Sequence, residues 1–355
     1  MDQTGDLVDN FGRSPVTVRS KPCAPRDGSG WVEQRRSHPG AAEVYAHDVR
    51  PAALESHRPQ IMRAVSAKCQ AEQDPVWARA AWRAGDMMGE FMAAEIADQP
   101  AVLARLLARA PRDIEAVSRL VPRPLLGVFF LARGSSDNAA MLGRYLSELA
   151  AGRPAGLAAP SLYTRYRAAV NWHGFLVVAL SQSGTTPEIV ATCRALQSSG
   201  AVVLAITNTP DSELAAAADL VLSTDAGLER AVPATKTVTA EMLLMVTVAR
   251  ALGPVGATTE EVMELASAIL DVLRDATPME APARRWAQAD RLVVTGRGLA
   301  YAAALECALK IKETTGVLAE GISIADLLHG PVAAVNAGAP ALLVNAGGPT
   351  AQDLE

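Results

Sequence analysis

The sequence predicts an α/β fold made of two tandem doubly wound lobes, each a parallel sheet covered by helices, with the second lobe truncated. Three observations carry that prediction. From about residue 125 onward, short apolar runs rich in β-branched residues alternate with helical patterns, and strands alternating with helices build parallel sheets. The pattern then repeats: LGVFFLARGSSDNAAMLGRYLSELAAG and RLVVTGRGLAYAAALECALKIKETTG both read strand, Arg-Gly, then a helix closing on glycine. The second copy reaches only one clear strand (290–295) and one further strand (340–345) before Glu355, a sheet with a long unpaired apolar edge.

Taken in order, residues 1–86 carry Pro, Arg, Gly and His without apolar periodicity, and are expected to form a poorly ordered N-terminal extension. Met87 and Met88 offer an alternative start for the functional protein. Residues 87–277 are expected to hold a helical lead-in and the first lobe. Its helix over 95–120 is followed by a strand at 125–132 and a helix from about Asp137 to Ala151. Strands at 175–180, 202–207 and 220–223 alternate with helices at 187–199 and about 212–218. Helices over 234–252 and 260–275 close the lobe. Pro278–Pro282 reads as a linker, and residues 283–355 as the second, incomplete lobe.

A chain of 355 residues that is 50% hydrophobic has ample core for two domains. The net charge of −5 gives no reason to expect nucleic acid or an anionic membrane as partner. The N-terminus is acidic and polar rather than a secretory signal, and no apolar run approaches the ~18 residues of a membrane span. Cys23, Cys69, Cys193 and Cys307 are isolated, without CxxC pairs or metal-ligand spacing. A reducing, cytoplasmic setting with no metal and no cofactor is the expectation.

The stretch richest in chemistry is FLVVALSQSGTTPE, residues 175–188. A buried strand runs into Ser181-Gln182-Ser183-Gly184-Thr185-Thr186, and Pro187 opens a helix with Thr186 placed to cap it. Hydroxyls, a glycine and a helix N-terminus at the end of a parallel strand suit a phosphate. An ordinary capped strand-to-helix turn fits the same spacing; four hydroxyls within six residues favour the phosphate.

The second stretch is AALECALKIKETTG, residues 303–316. At helical periodicity Glu306, Lys310 and Glu313 fall within roughly 60° of one another, a narrow charged stripe on an otherwise apolar helix. It reads either as a salt-bridge ladder or as partly buried acid–base machinery. His329, in LLHGP, follows a short helix stopped by glycine and proline; alone it is weak support for a site. Arg133 and Arg297 stand just after their strands, where they would meet an anion or simply face solvent. Gly296-Arg297-Gly298 is no dinucleotide fingerprint, because Tyr301 stands where a third glycine belongs.

Together these stretches resemble the sugar isomerase (SIS) domain family of flavodoxin-like lobes, most closely the isomerase half of the glutamine:fructose-6-phosphate amidotransferases. The resemblance runs from about Met88 to the end. It rests on MAAEIADQP, ARGSS, LSQSGTT, AGLERAVPATKT, GRGLAYAAALECALKIKE and LLHGP in one order. It implies sugar-phosphate contacts from Ser135, Ser136, Ser181, Gln182, Ser183 and Thr186. Val232 and Ala234 match a further substrate loop, although serine often stands where Ala234 does.

By the same resemblance, Glu313 is the base that moves a proton between C1 and C2 of an open-chain sugar. Lys310 and Glu306 are its supporting charges. His329 is the ring-opening histidine, reaching in from the neighbouring subunit of a homodimer. Two departures matter. Asp2 stands where the family's glutaminase nucleophile would be, and 86 residues cannot hold a glutaminase domain, so glutamine is not expected to supply nitrogen. The chain also ends before the family's C-terminal Schiff-base lysine, which leaves an inactive fragment open. The implied function is an aminosugar-phosphate isomerase of glucosamine-6-phosphate deaminase type, linking glucosamine 6-phosphate and fructose 6-phosphate. The alternative is a non-catalytic, sugar-phosphate-binding regulator, for which residues 1–86 show no helix-turn-helix.

Overall fold

The computed structural model describes residues 85–354, apart from 276, 288, 337 and 338. The chain divides into Met1–Lys68 and Cys69–Glu355, and every described residue belongs to the second unit. The expectation for residues 1–84 lies outside the described residues. From Gly85 the chain is helical: α1 spans Gly85–Leu120, with Val102, Leu103, Leu106 and Leu107 buried along one stripe.

The first lobe then alternates as β1 (Gly127–Leu131), α2 (Ser135–Ala151), β2 (Ala155–Leu157), α3 (Pro160–Thr164) and β3 (Phe175–Leu180). It continues through α4 (Pro187–Ser198), β4 (Val202–Thr207), α5 (Glu213–Ala216), β5 (Leu220–Ser223) and α6 (Lys236–Leu252). The five strands are parallel, in the order β2-β1-β3-β4-β5. The edge strand β2 and helix α3 escape sequence reading because each is only one short turn of pattern inside a connecting segment.

The period of two along β3 explains why its apolar run is continuous. Leu176, Val178 and Leu180 pack with Leu103, Leu106, Leu244 and Val248 of α1 and α6 on one face. Val177 and Ala179 pack with Ile189, Cys193 and Leu196 of α4 on the other. Gly143 allows close approach on the first face, since a Cβ there would collide with Met245 and Phe130.

The following segment is more finely divided and more helical than its sequence pattern suggests. Residues 260–275 form two helices, α7 (Thr259–Met263), opened by a Thr258/Glu261 capping box, and α8 (Leu265–Arg274). Pro278–Pro282 is helical, inside α9 (Thr277–Trp286). Pro278 sits in the first turn, where its missing N–H costs no hydrogen bond, so proline there opens a helix instead of breaking one.

The second lobe comprises β6 (Arg291–Gly296), α10 (Ala300–Thr315), β7 (Leu318–Ser323), α11 (Ile324–Leu328) and β8 (Ala341–Val344). Its parallel sheet has the order β7-β6-β8, which reproduces the β2-β1-β3 part of the first lobe. It is the shorter sheet, three strands against five, with β8 at one edge. β7 is legible only in the structure, because LAEGIS lacks an apolar run. Gly321 is needed there: a Cβ would lie 3.0 Å from Leu305 Cα, so glycine lets α10 lie flat on the strand.

Candidate active site

In the first sheet β2 and β3 flank β1 on opposite sides, so the connections leaving β1 and β3 diverge at their C-terminal ends. Crevices form at such reversals of strand order. Both hydroxyl-bearing turns open there. Gly134 (φ 63°) turns the chain from β1 into α2 and brings Ser135 and Ser136 to the helix start. Gly184 (φ 64°) does the same after β3; a Cβ there would collide with Ser212. The Gln182 carbonyl accepts from Asn208 N at 3.0 Å and from Thr207 Oγ1 at 3.2 Å, fixing this turn against β4.

The expected cap by Thr186 is not made. Its Oγ1 lies 3.2 Å from Ser181 Oγ, and neither α2 nor α4 carries a side-chain cap at its start. Helix-terminal N–H groups left in this way favour an anion. Ser183 Oγ accepts from Thr185 Oγ1 at 3.1 Å, and Ser181 Oγ from Gly184 N at 3.2 Å.

A third wall comes from the segment before α6, and Glu229 organises it. Its carboxylate accepts from Thr235 N at 2.9 Å, Thr237 N at 3.3 Å and Gln182 Nε2 at 3.1 Å, and also from Thr237 Oγ1. One side chain thus ties the start of α6 to the β3–α4 turn. Glu95 of α1 holds the same segment by accepting from the backbone N–H groups of Arg230 and Ala231.

These walls enclose a cavity of about 230 Å³. Ser135, Ser136, Ser181, Gln182, Ser183, Thr186, Val232, Ala234 and Glu313, all expected from sequence, line it together. Arg133 lines it too, paired with Glu188 at 3.1 Å, whereas Arg297 pairs with Asp353 away from it. A larger hollow of about 770 Å³ beside α10 and β7 contains none of the expected site residues.

The charged stripe is gathered at the mouth of the smaller cavity. Lys310 Nζ lies 2.6 Å from Glu313 Oε2, 3.3 Å from Glu306 Oε1 and 3.0 Å from Ser135 Oγ. Glu306 is buried, and its other oxygen accepts from Asn138 Nδ2 at 2.8 Å. The stripe is therefore more than a surface ladder: through Ser135 and Asn138 it joins the second lobe to the first. His329 stands apart. It is exposed at the end of α11, its N–H donates to the Asp326 carbonyl, and it lines no part of this cavity within one chain.

Sequence reasoning missed Glu229, Thr237, Asn138 and Glu241. Glu241 lines the cavity from α6, is 1% exposed, and lies 2.9 Å from Ser136 Oγ. Burial, with Glu229 and Glu306 nearby, pushes its carboxyl up to about 8, although the Ser136 hydrogen bond opposes the shift. A signal for it was present: Glu241 is the one charge within TVTAEMLLMVTVA. Among the described residues no group of His, Cys, Asp and Glu is arranged to hold a metal ion, and no helix is long and apolar enough to cross a membrane.

Two parallel-sheet lobes with a hydroxyl-lined crevice at a strand-order reversal define a class of ligand-binding α/β protein. The chain belongs to the SIS domain family, whose model matches residues 127–251 and 286–354. It is 34% identical over 269 residues to the glutamine--fructose-6-phosphate aminotransferase [isomerizing] of Mycolicibacterium paratuberculosis, covering 72% of this chain and 43% of that one. The chain thus spans less than half the length of that relative. Among solved structures it is similar to the C-terminal domain of glucosamine-fructose-6-phosphate aminotransferase from Francisella tularensis. That match has a TM-score of 0.63 and 26% identity, and covers 74% of this chain and 77% of that one. A glucosamine-6-phosphate deaminase from Thermotoga maritima shares the fold, with a TM-score of 0.58 and 23% identity over 73% of this chain and 78% of that one.

Proposed function

We propose that this protein converts phosphorylated aminosugars by aldose–ketose isomerisation, in the manner of a glucosamine-6-phosphate deaminase. The observation that carries the reading is the Lys310-bridged Glu306/Glu313 pair standing at the mouth of a hydroxyl-lined cavity. The Ser181–Thr186 turn, Ser135, Ser136 and two helix N-termini hold the phosphate, which orients the sugar without reacting. Val232 and Ala234 border the sugar.

Glu313 then takes the C2 proton of open-chain glucosamine 6-phosphate and returns it to C1, leaving an imine at C2. Water adds to that imine and ammonia leaves, so the products are fructose 6-phosphate and ammonia. Lys310, 2.6 Å from Glu313, offsets the charge that develops on the substrate oxygen. His329 assists ring opening, and since it lines no part of the cavity within one chain, the reading takes it from a second copy in a homodimer. A cytoplasmic setting fits such a substrate.

The test is ammonia release from glucosamine 6-phosphate without glutamine, with Glu313→Gln as the control. Ammonia plus fructose 6-phosphate, absent in the variant, is the expected result. No ammonia, with clear thermal stabilisation by sugar phosphates, overturns the deaminase reading in favour of a regulatory binding protein.

A further inference from the structure

Glu241 is the buried ionisable group of the cavity that the proposed chemistry leaves unused. It stands on α6 behind the cradle, in contact with Ser136 at 2.9 Å, and both residues line the cavity that also holds Ser181, Ser183 and Thr186. Ser136 is itself buried, so its hydroxyl proton has two destinations: the Glu241 carboxylate or a ligand in the cavity. While Glu241 is ionised, it takes that proton as acceptor, and Ser136 turns only lone pairs toward an incoming anion. A protonated Glu241 reverses the bond: its O–H donates to Ser136 Oγ, and the Ser136 proton is released toward the cavity.

We propose that Glu241 is a positioning residue of the phosphate cradle, which binds a phosphate dianion only with its carboxyl protonated and thereby aims the Ser136 hydroxyl at the ligand. The inference rests on the sugar-phosphate reading of the cavity and adds a proton to it.

The charges around Glu241 support the assignment. Glu229, from the segment before α6, and Glu306, from α10, both raise its carboxyl, which burial alone already lifts. From α2, Asp137 adjoins Ser136 and is itself raised by burial. The cations near the cradle are already paired with other carboxylates: Arg133, which lines the cavity, with Glu188; Lys310, which also donates to Ser135, with Glu306 and Glu313; and Lys236 of α6 with Asp98 of α1 at 3.0 Å. A phosphate dianion entering a cavity of about 230 Å³ beside an ionised, cation-free carboxylate would meet like charge at short range. Taking up one proton removes that repulsion and supplies a donor in the same step.

The test is calorimetric titration of the chain with fructose 6-phosphate at about pH 9, in buffers of different ionisation enthalpy. The phosphate monoester titrates near about 6 and is fully dianionic there, so the ligand contributes no proton of its own. The wild type is expected to take up close to one proton per ligand bound. Its Kd is expected to be flat between about pH 7 and about pH 8, where the ligand is already dianionic, and to rise about tenfold per pH unit above. Glu241→Gln, which keeps the shape and can donate to Ser136, is expected to bind with little pH dependence and no proton uptake.

Three results would overturn the proposal. Uptake that persists in Glu241→Gln would place the proton on another group. Binding by the wild type with no proton exchange would remove the proton but leave the sugar-phosphate reading intact. Failure to bind fructose 6-phosphate or inorganic phosphate at any pH would remove both. A wild-type profile without proton uptake overturns the proposal even if the variant fails to fold.

Discussion

Lys310 Nζ lies 3.0 Å from Ser135 Oγ, a hydrogen bond that runs from the helix after the first strand of one lobe to the start of the helix after the first strand of the other. The two repeats meet through the same element of each. The candidate base at Glu313, 2.6 Å from the same ammonium, is thereby held at the mouth of a cradle built by the opposite lobe. On the proposed reading, this arrangement supplies proximity of base and anchored substrate rather than any unusual reactivity.

Replacing Glu313 with Gln keeps the shape and removes the proton acceptor. Turnover is expected to fall by about 10²–10⁴ while sugar-phosphate affinity hardly changes. Steady-state kinetics paired with ligand titration measures both. A variant of near-normal turnover would reduce Glu313 to a structural partner of Lys310.

Ser183→Ala combined with Thr186→Ala takes two hydroxyls from the turn after β3. Binding of fructose 6-phosphate is expected to weaken by about tenfold or more, on the scale of one or two lost charge-assisted hydrogen bonds, with little change for fructose. Titration with both sugars separates the outcomes. Equal losses would move the phosphate away from this turn.

Glu229→Ala leaves the Thr235 and Thr237 N–H groups without their shared acceptor and frees the Gln182 amide. A destabilisation on the order of 1–3 kcal/mol is expected, because buried donors lose their partner. Thermal melts report it as a drop of several degrees, and sugar-phosphate affinity should fall with it. An unchanged melting temperature would mean that other acceptors replace the carboxylate.

Glu241 also leaves a signature in stability. Its carboxyl sits at about 8 in the folded chain, against an ordinary value of 4.5. Between those pH values the folded state holds a proton that the unfolded state has released, so stability declines as pH rises through the window and levels off above it. Glu241→Gln removes this decline. The variant should gain on the wild type between about pH 5 and about pH 8 by an amount on the order of a few kcal/mol. Melts across that range check it, and a constant offset would show that Glu241 ionises normally.

Much of the first lobe was legible because its central strands are buried on both faces. Leu176, Val178 and Leu180 must be as apolar as Val177 and Ala179, so the run stands out and its ends are sharp. Ala155–Leu157 and Leu318–Ser323 passed unnoticed because neither has such a run: the first is three residues long and the second reads LAEGIS. At the site, the hydroxyls of 181–186 and the stripe at 306, 310 and 313 were readable as local pattern. Glu229 and Glu241 were not, because each gains its role from partners on other elements. Glu229 reaches back 47 positions to Gln182, and Glu241 reaches back 105 to Ser136.

By itself the sequence determined the alternation of strand and helix, the repeat of the β1–α2 unit, and which residue types could hold an anion or move a proton. Those are properties of periodicity and side-chain chemistry, which act over a few residues and need no fold. Only the tertiary structure decided that the residues after β1, after β3 and before α6 share one cavity with Glu313. It also left His329 outside that cavity and turned Thr186 from a helix cap to a neighbour of Ser181. Strand order and helix packing set these relations, and they depend on contacts between segments far apart in the chain, where no local pattern records which surfaces will meet.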